Sequence, residues 1–361
     1  MNIMVFDVPA SSGGALSILK DFYNEVKTNV DKNTNLFFVI SAPELTETDN
    51  IKVIRFPWIK KSWIHRLYFD FAVAPNLIKK YNIDKVLSFQ NTIIPRVAVP
   101  QILYVHQSLP FVEYRFTFKE NRLYWTYQNI IGKLIKKSIK KAEKVIVQTE
   151  WMKKACIEQT GKDSNKIKVI LPKNNFDVKK YFEANETSMK TFFFPAGAQS
   201  FKNHRIVIDV CKKLKEQGIN DYKVIFTLNG DENNCISTLH DETKRLDLPI
   251  EFIGNLSRED VFELYTKSIL LFPSYIETFG LPMLEARLYK TIILASNCPF
   301  SKEILEGYEN AYFFDPFNAN ELKILMEKLI IHEMGYKKPH EDIYSKLGNG
   351  WVCLLKELHN L

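Results

Sequence analysis

At 361 residues, with 46% hydrophobic and 25% charged side chains, the chain is long for one domain and has the composition of a globular protein able to bury two cores. No stretch approaches the roughly eighteen uninterrupted apolar residues of a membrane span, and Met1-Asn2-Ile3-Met4-Val5-Phe6 runs straight into Asp7, unlike a signal peptide, so a cytoplasmic protein is expected. The net charge of +7 is modest, and the five cysteines (Cys156, Cys211, Cys235, Cys298, Cys353) are odd in number and lack metal-ligand spacing, which argues for reduced thiols and against a disulfide or metal site.

Along the first half, short apolar runs alternate with helical patterns, the mark of a parallel sheet wrapped by helices. Strands are expected over Asn2 to Phe6, Leu36 to Ser41, Val53 to Phe56, Lys85 to Ser88, Gln101 to Val105 and Lys144 to Val147. After the first comes Pro9-Ala10-Ser11-Ser12-Gly13-Gly14, whose paired glycines let a ligand approach the backbone at a helix start or simply make a tight turn. A complete G-x-G-x-x-G is missing, which argues against a nicotinamide dehydrogenase. Asn91 and His106 follow later strands, at the carboxyl edge where open α/β sheets bind ligands. Asn91 is a candidate for binding ligand hydroxyls, and His106 for a cleft ligand or for a structural role. Thr149 fits a helix N-cap.

The positive charge gathers at Lys60-Lys61-Ser62-Trp63-Ile64-His65-Arg66 and over Lys133 to Lys141. In the second stretch Leu134, Ile135 and Ile139 form an apolar stripe against lysines. That pattern suits peripheral contact with an anionic membrane, or equally a helix packed on its own domain. No nucleic-acid motif accompanies the charge, so no nucleic-acid partner is expected. The aromatic-rich stretch from Phe111 to Tyr127 is read as core or as an acceptor- or lipid-facing edge.

Lys168 to Leu171 reads as a last strand before Pro172-Lys173-Asn174-Asn175-Phe176-Asp177, a turn-rich candidate hinge. Five further strands follow, over Thr191 to Phe194, Lys223 to Leu228, Ile250 to Ile253, Ile269 to Phe272 and Thr291 to Ala295. The loop Pro195-Ala196-Gly197-Ala198-Gln199-Ser200-Phe201-Lys202-Asn203-His204-Arg205 links a strand to a helix from Ile206 to Leu214. A glycine and a lysine at that place suit a diphosphate. After the strand ending at Phe272, Pro282 fits the first turn of a helix. Its free N–H groups suit an anion, Gly280 allows close approach, and Glu277 and Glu285 suit the hydroxyls beside it. A sugar nucleotide supplies both kinds of group. The final helix, from Gly350 to Leu358, is amphipathic.

The run Phe272-Pro273-Ser274-Tyr275-Ile276-Glu277-Thr278-Phe279-Gly280-Leu281-Pro282-Met283-Leu284-Glu285-Ala286 closely resembles the E-x7-E signature of family-four retaining glycosyltransferases of the GT-B fold, the glycosyl transferases group 1. The glycine loop, His106, the hinge, the Lys202-Asn203 loop, Phe252-Ile253-Gly254-Asn255-Leu256-Ser257 and the Asp315-Pro316 pair follow the order of that family over nearly the whole chain. Two departures stand out: Asn175 replaces the usual hinge glycine, and Pro195 to Gln199 lacks the usual arginine, which leaves Lys202 alone or places Arg205 on the diphosphate.

The resemblance implies an α/β protein of two Rossmann-like parallel-sheet domains facing a central cleft. Residues 1–172, joined by a C-terminal helix over 343–361, would bind acceptor, and residues 173–342 would bind donor. It implies metal-independent transfer of a hexose, with retention, from a UDP- or GDP-sugar to a glycan or lipid-linked acceptor, with no cofactor, in bacterial surface polysaccharide synthesis at the inner face of the plasma membrane. The implied catalytic residues are Glu277, His106 and Lys202. Gly197, Lys202, Arg205, Gly254, Phe279, Gly280, Leu281 and Glu285 are the implied donor site, and Gly13, Gly14 and Asn91 the acceptor site. A non-catalytic nucleotide-sugar-binding subunit and a nucleotide-sugar epimerase remain alternatives, and Glu277 is the candidate if a carboxylate nucleophile operates.

Overall fold

The computed structural model describes residues 1–11, 13–31, 33–171, 178–338 and 350–359. The chain divides into two compact units, Met1–Asn175 with Gly348–Leu361, and Phe176–Leu347. The candidate hinge from Pro172 to Asp177 and both expected domain boundaries lie outside the described residues.

Unit 1 holds seven strands: β1 (Asn2–Asp7), β2 (Asn35–Ile40), β3 (Ile51–Arg55), β4 (Lys85–Ser88), β5 (Gln101–Tyr104), β6 (Lys144–Val147) and β7 (Ile167–Val169). All pair in parallel, in the order β3-β2-β1-β4-β5-β6-β7. Along β1, Ile3 and Val5 enter one core with Phe22, Phe38 and Tyr104, whereas Met4 and Phe6 enter another with Phe37, Ile78 and Val86. Burial on both faces is why this strand reads as an unbroken apolar run rather than an alternating one.

Unit 2 holds six parallel strands: β8 (Thr191–Phe194), β9 (Lys223–Phe226), β10 (Ile250–Phe252), β11 (Ile269–Phe272), β12 (Ile293–Ser296) and β13 (Ala311–Phe314), in the order β10-β9-β8-β11-β12-β13. The sequence reading omits β13. Its Ala311-Tyr312-Phe313-Phe314 run is apolar, but it is a short edge strand that is only partly buried, with Phe313 exposed. In both sheets the strand order reverses once, between β1 and β4 and between β8 and β11. Such a switch point opens a crevice at the carboxyl edge, where the connecting loops part to opposite sides.

Helix Gly132–Lys141 settles two of the three stripe residues. Ile135 and Ile139 are buried with Leu103, Val145 and Met152, so they are core and not available to a membrane, while Leu134 stays half exposed. The final helix, Gly350–His359, belongs to unit 1. Trp351 is fully buried against the rings of Phe22, Tyr104 and Phe89, with centroids 5.6, 5.9 and 6.2 Å away. Glu357 bridges Lys144, at 2.7 Å, and Lys168, and Lys85 Nζ donates to the Leu358 carbonyl at the helix end, at 2.8 Å. The lysine at that terminus complements the exposed carbonyls.

Replacing Trp351 with alanine removes a buried ring and leaves a cavity, a loss of about 3–5 kcal/mol. Urea unfolding followed by circular dichroism should show a clearly lower midpoint. An unchanged midpoint would mean that the helix does not complete this core.

Candidate active site

In unit 2 the switch point is spanned by a charge pair. Lys202 lies in the loop after β8 and Glu277 in the loop after β11, and the ammonium meets the carboxylate directly. Both side chains are mostly buried, so each partner lowers the cost of shielding the other from water. The loops are fastened by backbone as well: the Tyr275 N–H donates to the Phe201 carbonyl at 3.1 Å. Asn203 adopts a left-handed conformation, with φ of 67°, and its side-chain amide donates to the Pro316 carbonyl at 2.7 Å.

Helix Leu281–Leu288 starts directly behind Glu277. Gly280 occupies its N-cap with φ of 87°, a backbone region costly for any residue with a Cβ, and an added Cβ would press on Met283 Cε. Pro282 sits in the first turn, as its sequence position predicts. Phe279 is buried beneath this start and Leu281 begins the helix.

Glu285 lies on the same helix but inside the unit. Its Oε2 accepts from the Tyr265 hydroxyl at 3.2 Å, and its Oε1 lies 3.5 Å from Arg258 Nη2. Burial raises its pKa to about 7 against the opposing pull of Arg258 and the Tyr265 hydroxyl. At neutral pH this carboxyl is poised between its two protonation states.

Gly254 follows β10, also with positive φ, and its N–H donates to the Leu228 carbonyl at 2.9 Å. Gly197 lies in the loop after β8, where an added Cβ would press on the Gln199 side chain at 2.9 Å. Arg205 does not join the Lys202–Glu277 pair. Its guanidinium is held by Glu242 at 2.7 Å and Asp209 at 3.5 Å, acids on the outer helices, so Lys202 has no arginine beside it from this stretch.

In unit 1, Gly13 and Gly14 open helix Gly13–Asn29, and an added Cβ on Gly14 would meet nothing within 4 Å, so packing alone does not require that glycine. Asn91, with φ of 62°, accepts the His106 backbone N–H on its Oδ1 at 2.8 Å, which joins the two residues picked out at separate strand ends. The His106 ring is densely enclosed although part of the residue remains accessible, and burial pushes its pKa down to about 4. It is therefore a neutral imidazole near pH 7.

A second cluster escaped the sequence reading. Asp7 ends β1 and Gln90 follows β4, so they flank the unit 1 switch point. Asp7 is fully buried. The Ala10 N–H favours its charged form without reaching full hydrogen-bond geometry, and burial still raises its pKa to about 7 against that N–H and the charges of Arg66 and Lys60. Lys60 Nζ donates to the Pro9 carbonyl at 2.6 Å and to Ser11 Oγ at 3.0 Å, which fastens the glycine loop, and Arg66 pairs with Asp70 at 2.7 Å. The available signal was an acid closing an apolar strand, Met4-Val5-Phe6-Asp7.

Comparison with known proteins places these features in a family. The model for "Glycosyl transferases group 1" matches residues 164–346, half of the chain. The O-antigen chain mannosyltransferase RfbU of Salmonella typhimurium is 24% identical over 241 residues, which cover 66% of this chain and 63% of that protein. The serotype-specific mannosyltransferase WbdA of Escherichia coli is 35% identical over 88 residues, 24% of this chain and 11% of that much longer protein. Among solved structures, Anabaena HepE in complex with UDP and glucose aligns with a TM-score of 0.67 at 19% identity, covering 100% of this chain and 98% of that one. WaaG, a glycosyltransferase involved in lipopolysaccharide biosynthesis, aligns with a TM-score of 0.67 at 13% identity, over 92% and 90% of the two chains. The two parallel Rossmann-like sheets are those of the GT-B fold, and the chain belongs to the glycosyl transferases group 1 family.

Proposed function

We propose that this protein transfers a hexose-type sugar from a UDP- or GDP-sugar to a hydroxyl of a glycan or lipid-linked acceptor, with retention of configuration, in the synthesis of a bacterial surface polysaccharide. The observation that carries this reading is the Lys202–Glu277 pair across the unit 2 switch point, beside the helix that starts at Leu281. Lysine and glutamate there neutralise each other, and a sugar diphosphate offers each a better partner: phosphate for Lys202 and hydroxyls for Glu277. The mannosyltransferase names of RfbU and WbdA and the UDP and glucose of HepE support a nucleotide-sugar donor.

In this reading Glu285 takes the ribose hydroxyls and Gly254 lets the nucleobase approach the backbone. The N–H groups of Phe279, Gly280 and Leu281 face the diphosphate or sugar. The bond from the anomeric carbon to the phosphate oxygen breaks while the acceptor oxygen bonds to that carbon on the same face. The acceptor proton passes to the departing phosphate, whose charge Lys202 offsets as it develops. Gly13, Gly14 and Asn91 are assigned to the acceptor, and neutral His106 to a hydrogen bond near the reaction centre. No cofactor takes part in these steps.

Peripheral contact with an anionic membrane belongs to the same reading. Helix Trp63–Tyr68 and the turn after it expose Trp63, Ile64, Leu67, Tyr68 and Phe71, and 115–141 exposes Leu123, Ile130 and Leu134. Segments 57–80 and 115–141 carry five and eight Lys and Arg, with one acid in each. The charge of Arg66 is felt by the Tyr127 phenol, so the two helical segments lie near each other. Apolar side chains rimmed by cations suit a lipid surface.

Incubation of the purified protein with labelled UDP- and GDP-hexoses and a membrane lipid extract should yield labelled glycolipid. Glu277→Gln and Lys202→Ala should each lower kcat by about 10²–10³-fold, the scale for losing one transition-state contact. Nucleotide binding without transfer would overturn the enzyme reading, and a changed sugar nucleotide without acceptor would indicate an epimerase.

Glu285→Ala should weaken nucleotide binding about 10- to 100-fold in calorimetry, the range for a hydrogen bond to a charged group. In the parent protein, affinity should rise with pH through about 7 as Glu285 loses its proton, a dependence that Glu285→Gln removes. Unliganded stability should run the other way, since a folded pKa raised from 4.5 to about 7 means that stability falls as pH rises between those values. A flat affinity profile would remove Glu285 from the ribose. In vesicle sedimentation, binding to phosphatidylglycerol but not phosphatidylcholine is expected, and Ile64→Asp should weaken it by roughly tenfold or more.

A further inference from the structure

Phe317, in the loop after β13, is 63% exposed, although its backbone is tightly fixed. Its N–H donates to Asp315 Oδ1 at 2.9 Å, and the Asp315 N–H donates to Glu321 Oε2 at 2.8 Å. The ring rests against Tyr275, with centroids 5.1 Å apart and planes at 52°. Tyr275 lies two residues before Glu277 and is joined by its N–H to Phe201, the residue before Lys202, while Asn203 holds the carbonyl of Pro316. The loops after β8, β11 and β13 are thus bolted together, and an exposed aromatic surface ends beside the Lys202–Glu277 pair.

The order of the strands gives this surface a direction. Gly254 follows β10, Lys202 follows β8, Glu277 follows β11 and Phe317 follows β13, in that order across the sheet. A nucleotide sugar laid along the edge with its base at Gly254 and its diphosphate at Lys202 has its sugar at Glu277. Phe317, tied to these loops through Tyr275 and Pro316, stands beside the sugar position, where an acceptor ring can be received.

We propose that Tyr275 and Phe317 form a stacking platform for a pyranose ring of the acceptor glycan. This assignment rests on the sugar-transfer reading above and adds the acceptor's chemical class. A pyranose presents C–H groups on one face, which suit the electron-rich face of an aromatic ring, and hydroxyls at its rim. Asp315, Asn318 and Glu321 supply polar atoms around the platform. The same acids make it a poor site for an anionic lipid surface, unlike the lysine-rich helices of unit 1.

Steady-state kinetics on Phe317→Ala should show the acceptor KM raised about five- to tenfold, with the nucleotide Kd from calorimetry unchanged; Phe317→Trp should restore the acceptor KM. That tryptophan is also a reporter. The difference in emission between Phe317→Trp and the parent protein should change on addition of a mannose tetrasaccharide. An unchanged acceptor KM in Phe317→Ala overturns the platform. If the parent protein binds nucleotide sugar but transfers nothing, the sugar-transfer reading fails, and the platform is then judged by the emission alone, an unaltered difference spectrum overturning it.

Discussion

Parallel strand pairing is the constraint on which the rest of each unit depends. Every strand in both sheets runs the same way, so each must be followed by a connection that returns the chain to the starting edge, and all the loops leaving carboxyl ends gather on one side. Reversal of strand order then separates two neighbouring loops. Lys202 and Glu277 meet because β8 and β11 pair side by side and their loops are joined at Tyr275 and Phe201, although 75 residues separate them in the chain. Asp7 and Gln90 flank the equivalent opening in unit 1.

Charges at these openings are balanced locally rather than exposed to bulk water. Lys202 is matched by Glu277, and Glu285 by Arg258 and Tyr265. Asp7 lies near Lys60 and Arg66. Yet burial still dominates at Asp7 and Glu285, where the surrounding cations and donors do not fully replace water. A carboxyl under-solvated in this way gains from any ligand that brings hydroxyl donors, which is a physical reason for such acids to be found where sugars and ribose bind. Arg205, by contrast, is satisfied on the outside of the unit.

Most of the fold was legible in the sequence because parallel strands buried on both faces leave short, dense apolar runs. Among the described residues, twelve of the thirteen strands lie where such runs predict; the exception, β13, is a partly buried edge strand whose Ala-Tyr-Phe-Phe run the sequence reading omits. The placement of Glu277 in a loop and of Glu285 on the helix behind it was legible from the strand and helix pattern, and Pro282 and Gly280 from helix-start chemistry. What could not be read was which face of a helix turns inward: Ile135 and Ile139 sit in the core while Leu134 stays outside, a choice made by tertiary packing. The Asp7 cluster was hidden because its members come from β1, the segment around Lys60 to Asp70 and the loop after β4, with no local pattern joining them. Arg205 shows the converse, a residue near Lys202 in sequence whose side chain the helix turns away.

The return of helix Gly350–His359 to unit 1 has a consequence for how the chain is made. Phe22, Phe89 and Tyr104 are synthesised early, but the indole that covers them arrives only after all of unit 2. At ribosomal rates the interval between β7 and Trp351, roughly 180 residues, lasts about 10–40 s. During that time the aromatic face of unit 1 stands open on the nascent chain. Unit 1 is thus begun before unit 2 and finished after it, so its core closes only once the segment that forms unit 2 has been made.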